Sequence, residues 1–125
     1  DLERFSQDLD ALAAGRPVRI KEYTFNRADR DARELLLRPA PIIVAEGLFV
    51  FYPADRLDYF SLRLFVDADE HVKLVRRLRR DLAERNYGYD DVLAQYERQV
   101  FPSYRRYIEP LKSACDLVIP NNSHM

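Results

Sequence analysis

The stretch Ile42-Ile43-Val44-Ala45-Glu46-Gly47-Leu48-Phe49-Val50-Phe51-Tyr52 constrains the fold of this chain more than any other. Its first four residues are apolar, with no polar alternation. So short a run, rich in β-branched residues, predicts a strand buried on both faces, as found inside a parallel sheet. The strand ends on a carboxylate and a glycine. Ligands of open α/β sheets gather at the carboxyl ends of the strands, so Glu46 would stand where a metal or a phosphate binds. An exposed acid followed by a turn at Gly47 fits the same letters. The stretch alone leaves both readings open.

The elements around it fit a sheet flanked by helices. Asp1 can cap a helix whose apolar face is Leu2, Phe5, Leu9 and Leu12, with Gly15 as its stop. Pro17–Ile20 and Glu34–Leu37 are short strands, and the sequence from Tyr23 to Leu37 reads as a hairpin-like excursion. Leu48–Phe60 suggests a short helix interrupted near Pro53. Leu62–Val66 is a further buried strand that ends on Asp67. Asp69–Arg85 is the clearest helix, with Val72, Val75, Leu78 and Leu82 on one stripe. A second long helix begins near Asp90, with Val92, Tyr96, Val100, Tyr104 and Ile108 four apart. Pro102 should kink it, Pro110 should end it, and Asp116–Pro120 closes the chain as a strand. Strand, helix and strand in this order predict parallel βαβ units.

Composition narrows the function classes. At 125 residues the chain is one domain at most, and with 47% hydrophobic residues it can build a core. A net charge of −1 argues against a dedicated nucleic-acid or membrane-surface protein. No apolar run approaches the ~20 residues a membrane span needs. The single cysteine, Cys115, allows no internal disulfide. With no signal-peptide pattern, that points to the cytoplasm.

Arg76, Arg77, Arg79, Arg80 and Arg85 crowd the clearest helix. A solvated charged face explains them, and so does a helix that closes over transferring phosphoryl groups. Tyr23 and Phe25, beside a charged loop, can stack on a planar ring or simply pack. His71 and His124 have no nearby Cys or paired His, which disfavours a zinc site. No nucleophile motif of the G-x-S-x-G type occurs, and Cys115 reads as a buried small residue.

Taken in register, several short pieces resemble uridine kinases (uridine–cytidine kinases), relatives of phosphoribulokinase among the P-loop kinases. They are Gly15-Arg16-Pro17-Val18, Tyr23-Thr24-Phe25, Pro39-Ala40, Glu46 to Tyr52, Phe65-Val66-Asp67, Arg76-Arg77, Arg80-Asp81, Glu84-Arg85, Gln95-Tyr96, Pro102, Pro110 and Asp116 to Pro120. The resemblance implies an α/β fold of P-loop NTPase type, a mostly parallel sheet with flanking helices, incomplete at both ends. It implies one partial kinase domain over 1–125. In it, 1–15 is a helix, 17–38 an edge hairpin that walls the substrate, 39–68 the core strands, 69–112 the lid and long helix, and 116–120 the last strand. It further implies ATP-dependent phosphorylation of a nucleoside 5′-hydroxyl in pyrimidine salvage. Glu46 would then help hold Mg²⁺, Tyr23 and Phe25 would line the base pocket, and Arg77 and Gln95 would face the nucleoside. Arg80 and Arg85 would be the catalytic and ATP-binding lid arginines.

The departures are as informative as the matches. The sequence contains no G-x-x-x-x-G-K-[ST] loop. That loop and the catalytic aspartate are expected before Asp1, and a final helix after Met125. The family's Tyr-Asp-Phe is Tyr23-Thr24-Phe25, its pyrimidine-reading histidine falls at Ala28, and its Gly-Arg after the lid is Asn86-Tyr87. Two alternatives follow: a kinase of another small alcohol or phosphosugar, and a non-catalytic kinase-like binding module. The expected partners are a nucleoside and ATP, with no nucleic acid and no membrane; a homo-oligomer is compatible with the sequence.

Overall fold

The computed structural model describes residues 1–22, 31–84 and 87–123. The chain divides into two compact units, Asp1–Glu46 and Gly47–Met125.

In the first unit, α1 (Leu2–Ala13) begins where the Asp1 carboxylate accepts the Arg4 N–H at 2.9 Å. That satisfies a donor the helix cannot satisfy internally. Burial deepens along the apolar face, from exposed Leu2 through half-buried Phe5 and Leu9 to buried Leu12. The helix stops at Gly15, whose φ of 77° suits glycine alone. The Gly15 N–H donates to the Leu12 carbonyl and the Arg16 N–H to the Ala11 carbonyl, the paired closure of a glycine-terminated helix. Next, β1 (Val18–Lys21) pairs antiparallel with β2 (Glu34–Leu37), Val18 opposite Leu37 and Lys21 opposite Glu34. Arg4 Nη2 donates to the Arg19 carbonyl at 2.9 Å, tying α1 to β1.

Ile42–Ala45 is not a strand. The stretch follows an irregular path, with Ile42 82% and Val44 86% exposed. A strand exists only through the ladder its neighbours supply, and no described strand pairs with this one. Apolar character on both faces therefore records an environment that the described residues do not provide. Among the described residues, the single, mostly parallel sheet is likewise replaced by two two-stranded sheets, one antiparallel and one parallel. The coarser reading, helices with small sheets including a parallel pair, holds.

The second unit contains that parallel pair. Here β3 (Leu64–Asp67) runs beside β4 (Leu117–Pro120), with Leu64 opposite Leu117 and Asp67 opposite Pro120. Phe65 is buried, but Leu64 and Val66 are exposed, so one face of β3 is open. Leu62 precedes the strand and is exposed. A 3₁₀ turn at Ala54–Tyr59 comes before β3, and α2 (Glu70–Glu84) and α3 (Tyr89–Gln95) follow it. In α2, Val72 is buried and Val75 and Leu78 are half-buried, but Leu82 is exposed. The buried residue of that last turn is Asp81.

Beyond α3 the helical path continues through wide i→i+5 turns at Tyr96–Val100 and Tyr104–Ile108, on either side of α4 (Phe101–Ser103). Pro102 sits in α4, where its missing N–H is accommodated. A 3₁₀ segment, Glu109–Ala114, takes over at Pro110. Val92 is 1% exposed, and Tyr96, Val100, Tyr104 and Ile108 are half-buried.

These burial differences predict unequal stability losses. Val92→Ala should cost on the order of 1–3 kcal/mol through lost burial and a residual cavity. Val44→Ala should cost less than about 0.5 kcal/mol, as exposed changes do. Urea midpoints of the two variants check this; equal losses would mean that Val44 is packed.

Candidate functional site

The candidate site grows from the last turns of α2. Arg77 and Asp81 are four apart and therefore share a helix face. Arg77 Nε lies 3.3 Å from Asp81 Oδ2, a charge contact in which the N–H is not aimed at the oxygen. Arg80 Nε donates to Asp81 Oδ1 at 2.9 Å. The Asp81 side chain is fully buried. A carboxylate in that position is tolerated because cations surround it; removing one partner of such a pair costs about 3–5 kcal/mol. Arg77 Nη2 then crosses to α3 and donates to Gln95 Oε1 at 2.8 Å. Four side chains thus form one chain, Arg80–Asp81–Arg77–Gln95.

The two arginines differ in exposure. The Arg77 side chain is 20% exposed and its guanidinium is committed to Asp81 and Gln95. Arg80 is 43% exposed, so part of its guanidinium faces water beside the buried carboxylate. Arg79 is exposed, and Arg76 Nη1 donates to the Asn121 carbonyl at 2.8 Å, at the end of β4. The arginine-rich helix is therefore not a uniform charged face.

A second cluster lies where β3 meets α2. Asp67 accepts from Lys112 through Oδ2 and contacts Lys73 at 2.9 Å through Oδ1. Lys73 also donates to Glu70 Oε1 at 2.9 Å and to the Tyr104 hydroxyl at 3.0 Å. The Tyr96 hydroxyl donates to Glu70 Oε2 at 3.1 Å. Burial pushes the Asp67 carboxyl up, but hydrogen bonds from Lys112 and Lys73 outweigh it and hold the group at about 2. Burial lowers Lys73, and bonds to Asp67, Tyr104 and Glu70 reverse that and raise it. Tyr96 is raised by burial and by its bond to Glu70. Sequence reasoning missed this cluster. The sequence shows only that lysine is scarce; the fold brings two of the three lysines to one strand-end aspartate.

The other expected site residues are distributed as follows. Tyr23, Phe25 and Arg85 lie outside the described residues, as does Ala28. Glu46 is exposed at the end of the first unit. Among the described residues no group of three or more His, Cys, Asp or Glu could hold a metal ion. That does not fit an all-protein cage. The exposed Glu46 carboxylate is a hard oxygen donor of the kind Mg²⁺ takes together with phosphate and water. Burial pushes the Cys115 thiol up, which fits an inert, partly buried thiol. In the first unit, an open recess of about 310 Å³ is lined by Arg4, Asp8, Arg19, Ile20, Lys21 and Glu34. Its arginines are already paired with Asp8 and Glu34.

All 125 residues match the model of the Phosphoribulokinase / Uridine kinase family. The chain belongs to this family. Among its relatives, a uridine kinase from Streptococcus agalactiae is 35% identical over 120 residues, 96% of this chain and 57% of the relative. A uridine kinase from Streptococcus gordonii is 32% identical over 98% of this chain and 59% of its own length. Uridine-cytidine kinase A from Dictyostelium discoideum is 35% identical over 98% of this chain and 25% of its own length. The chain thus spans little more than half the length of its bacterial relatives. Among the described residues no helix is long and apolar enough to cross a membrane.

The Asp67 cluster predicts an acid limb in stability. The folded carboxyl, at about 2, lies below its ordinary 3.8. Its contribution, on the order of 2 kcal/mol, is therefore complete above about pH 5 and is lost as the pH falls toward 2. Asp67→Asn should lower the urea midpoint at pH 6 and flatten the fall between pH 4 and 2. A variant with the wild-type acid limb would show that the two ammonium groups do not stabilise this carboxylate.

Proposed function

We propose that this chain is the nucleoside-facing and lid portion of an ATP-dependent nucleoside kinase, acting on the 5′-hydroxyl of uridine or cytidine in pyrimidine salvage. The observation that carries the proposal is the Arg77–Gln95 hydrogen bond, which brings together two side chains distant in sequence beside a half-exposed Arg80. Family membership and relatives named uridine kinase support it.

In this reading the chain forms part of one kinase domain of P-loop NTPase type. Arg77 and Gln95 present a fixed donor and acceptor edge to the nucleoside, and Tyr23 and Phe25 line the base. Arg80 and Arg85 approach ATP, where guanidinium groups neutralise charge spread over phosphate oxygens. Glu46 would hold Mg²⁺, which when bound supplies charge neutralisation at the phosphates. Phosphoryl transfer asks for positioning and charge stabilisation rather than covalent chemistry, and these residue types provide both. Reaction and residues together make the cytoplasm the expected compartment.

Two expected outcomes test the reading. Residues 1–125 alone should transfer no phosphate from ATP to uridine, because they lack a G-x-x-x-x-G-K-[ST] cradle. Measurable transfer by the purified chain would refute these residue roles. In a kinase that includes the cradle, Arg80→Ala should lower kcat by roughly ten- to a thousand-fold, and Arg79→Ala should do little. Equal effects would reduce α2 to a charged face. Glu46→Gln should also lower kcat strongly while leaving the melting temperature unchanged. A screen of nucleosides against phosphosugars decides the substrate class.

A further inference from the structure

Asp81 stands between the two halves of the proposed site, yet it touches neither the nucleoside nor the phosphates in the proposed chemistry. Its side chain is fully buried, and it meets Arg77 on one oxygen and Arg80 on the other. Arg77 is in turn fixed to Gln95 across α3, and the Tyr87 N–H donates to the Asp81 carbonyl at 3.3 Å, beyond the end of α2. Surface arginines on a helix choose among many rotamers. A guanidinium held through Nε against a buried carboxylate keeps few, and its outer N–H groups then point in a fixed direction. One carboxylate therefore orients the half-exposed Arg80 by a hydrogen bond and holds the inward Arg77 by charge, while Gln95 fixes the other side of Arg77.

We propose that Asp81 is a positioning residue that couples the nucleoside half of the site to the phosphate half. The proposal rests on the kinase reading, since it takes the nucleoside as the ligand of Arg77 and Gln95 and phosphate as the ligand of Arg80. The coupling has a direction. Among the described residues, Arg77 and Arg80 both face the Asp81 carboxylate. If Arg77 is lost, the buried carboxylate draws more strongly on Arg80, which swings inward and away from a phosphate. A change on the nucleoside side then reduces turnover as well as nucleoside affinity.

The first arm of the test needs no activity. In residues 1–125, the Nε–H signal of Arg80 should exchange with water at least tenfold more slowly than that of exposed Arg79. Asp81→Asn should remove the difference. An Arg80 signal that exchanges as fast as that of Arg79 in the wild type would overturn the proposal. The second arm uses a kinase that contains both this chain and the phosphate cradle. Asp81→Asn should raise the nucleoside KM and lower kcat, each about tenfold or more. Combined with Arg80→Ala, it should lower kcat by no more than about twofold beyond Arg80→Ala alone. Multiplying effects in that pair would mark Asp81 as a fold residue and sink the proposal.

Should Asp81→Asn fail to fold, Arg77→Met carries the decision. The proposal requires it to lower kcat as well as raise the nucleoside KM; a change in KM alone overturns it. If the wild-type kinase phosphorylates no nucleoside, the kinase reading fails, and the orienting role of Asp81 stands or falls on the arginine exchange rates.

Discussion

The parallel pairing of β3 with β4 depends on charge placed at both of its ends. Its strands are four residues each, and Arg63 and Asp116, which clamp one end, are 53 apart in sequence. So short a parallel pair gains little from its own ladder and must overcome the entropy of closing a long loop. At one end Arg63 grips Asp116 with Nε, Nη2 and its backbone N–H, at 2.7–3.2 Å. At the other, the Asn121 N–H donates to the Asp67 carbonyl at 2.7 Å, while the Asp67 carboxylate takes Lys73 and Lys112. Asn122 Oδ1, just past β4, also accepts the Asp69 N–H at 2.9 Å and so holds the chain where α2 starts. A slip of the strands by one residue would break both clamps together. The direction of α2, and with it every arginine the helix carries, is set by this register.

What the sequence made legible follows from how local each signal is. α1 was readable end to end, because Asp1, the apolar face and Gly15 act within a few residues of one another. β2 was readable at its observed bounds, Glu34–Leu37. Ile42–Ala45 was misread because burial on two faces belongs to the neighbours of a strand and not to its letters. In the candidate site, family resemblance named Arg77 and Gln95, and the structure joins them. Nothing local distinguishes Asp81 from Glu84, one buried and the other exposed on the same last turns of α2. The Asp67 cluster was out of reach for the same reason. Its members come from β3, α2, the wide-turn segment and the 3₁₀ segment, and only the fold brings them together.

The path from Tyr89 to Ile108 shows a pattern and a geometry correcting each other. Apolar residues four apart drift around an ordinary helix, which completes a turn in about 3.6 residues. Wider i→i+5 turns hold more residues each and drift the other way. Alternating the two keeps Val92, Tyr96, Val100, Tyr104 and Ile108 on the more buried side, while Glu97, Arg98, Gln99, Arg105 and Arg106 stay exposed. The same wide turns flank Pro102 on both sides. One consequence is positional: Tyr96 and Tyr104 both reach the Glu70–Lys73 turn of α2.

Such a scaffold explains why α2 can carry arginines with different tasks on adjacent positions. Successive residues on a helix point about 100° apart, so 76, 77, 79 and 80 fan out over an arc of about 160°. Packing then sorts them. The direction toward β4 finds the Asn121 carbonyl and takes Arg76. The direction toward α3 finds Gln95 and takes Arg77. Arg79 faces water, and Arg80 sits at the border between buried Asp81 and solvent. A buried carboxylate in that place is costly for stability, since apolar residues of similar volume commonly serve a fold as well or better. What an apolar side chain could not do is orient a guanidinium at the surface. The free-energy cost of burying Asp81 is thus understandable as the cost of giving Arg80 a direction.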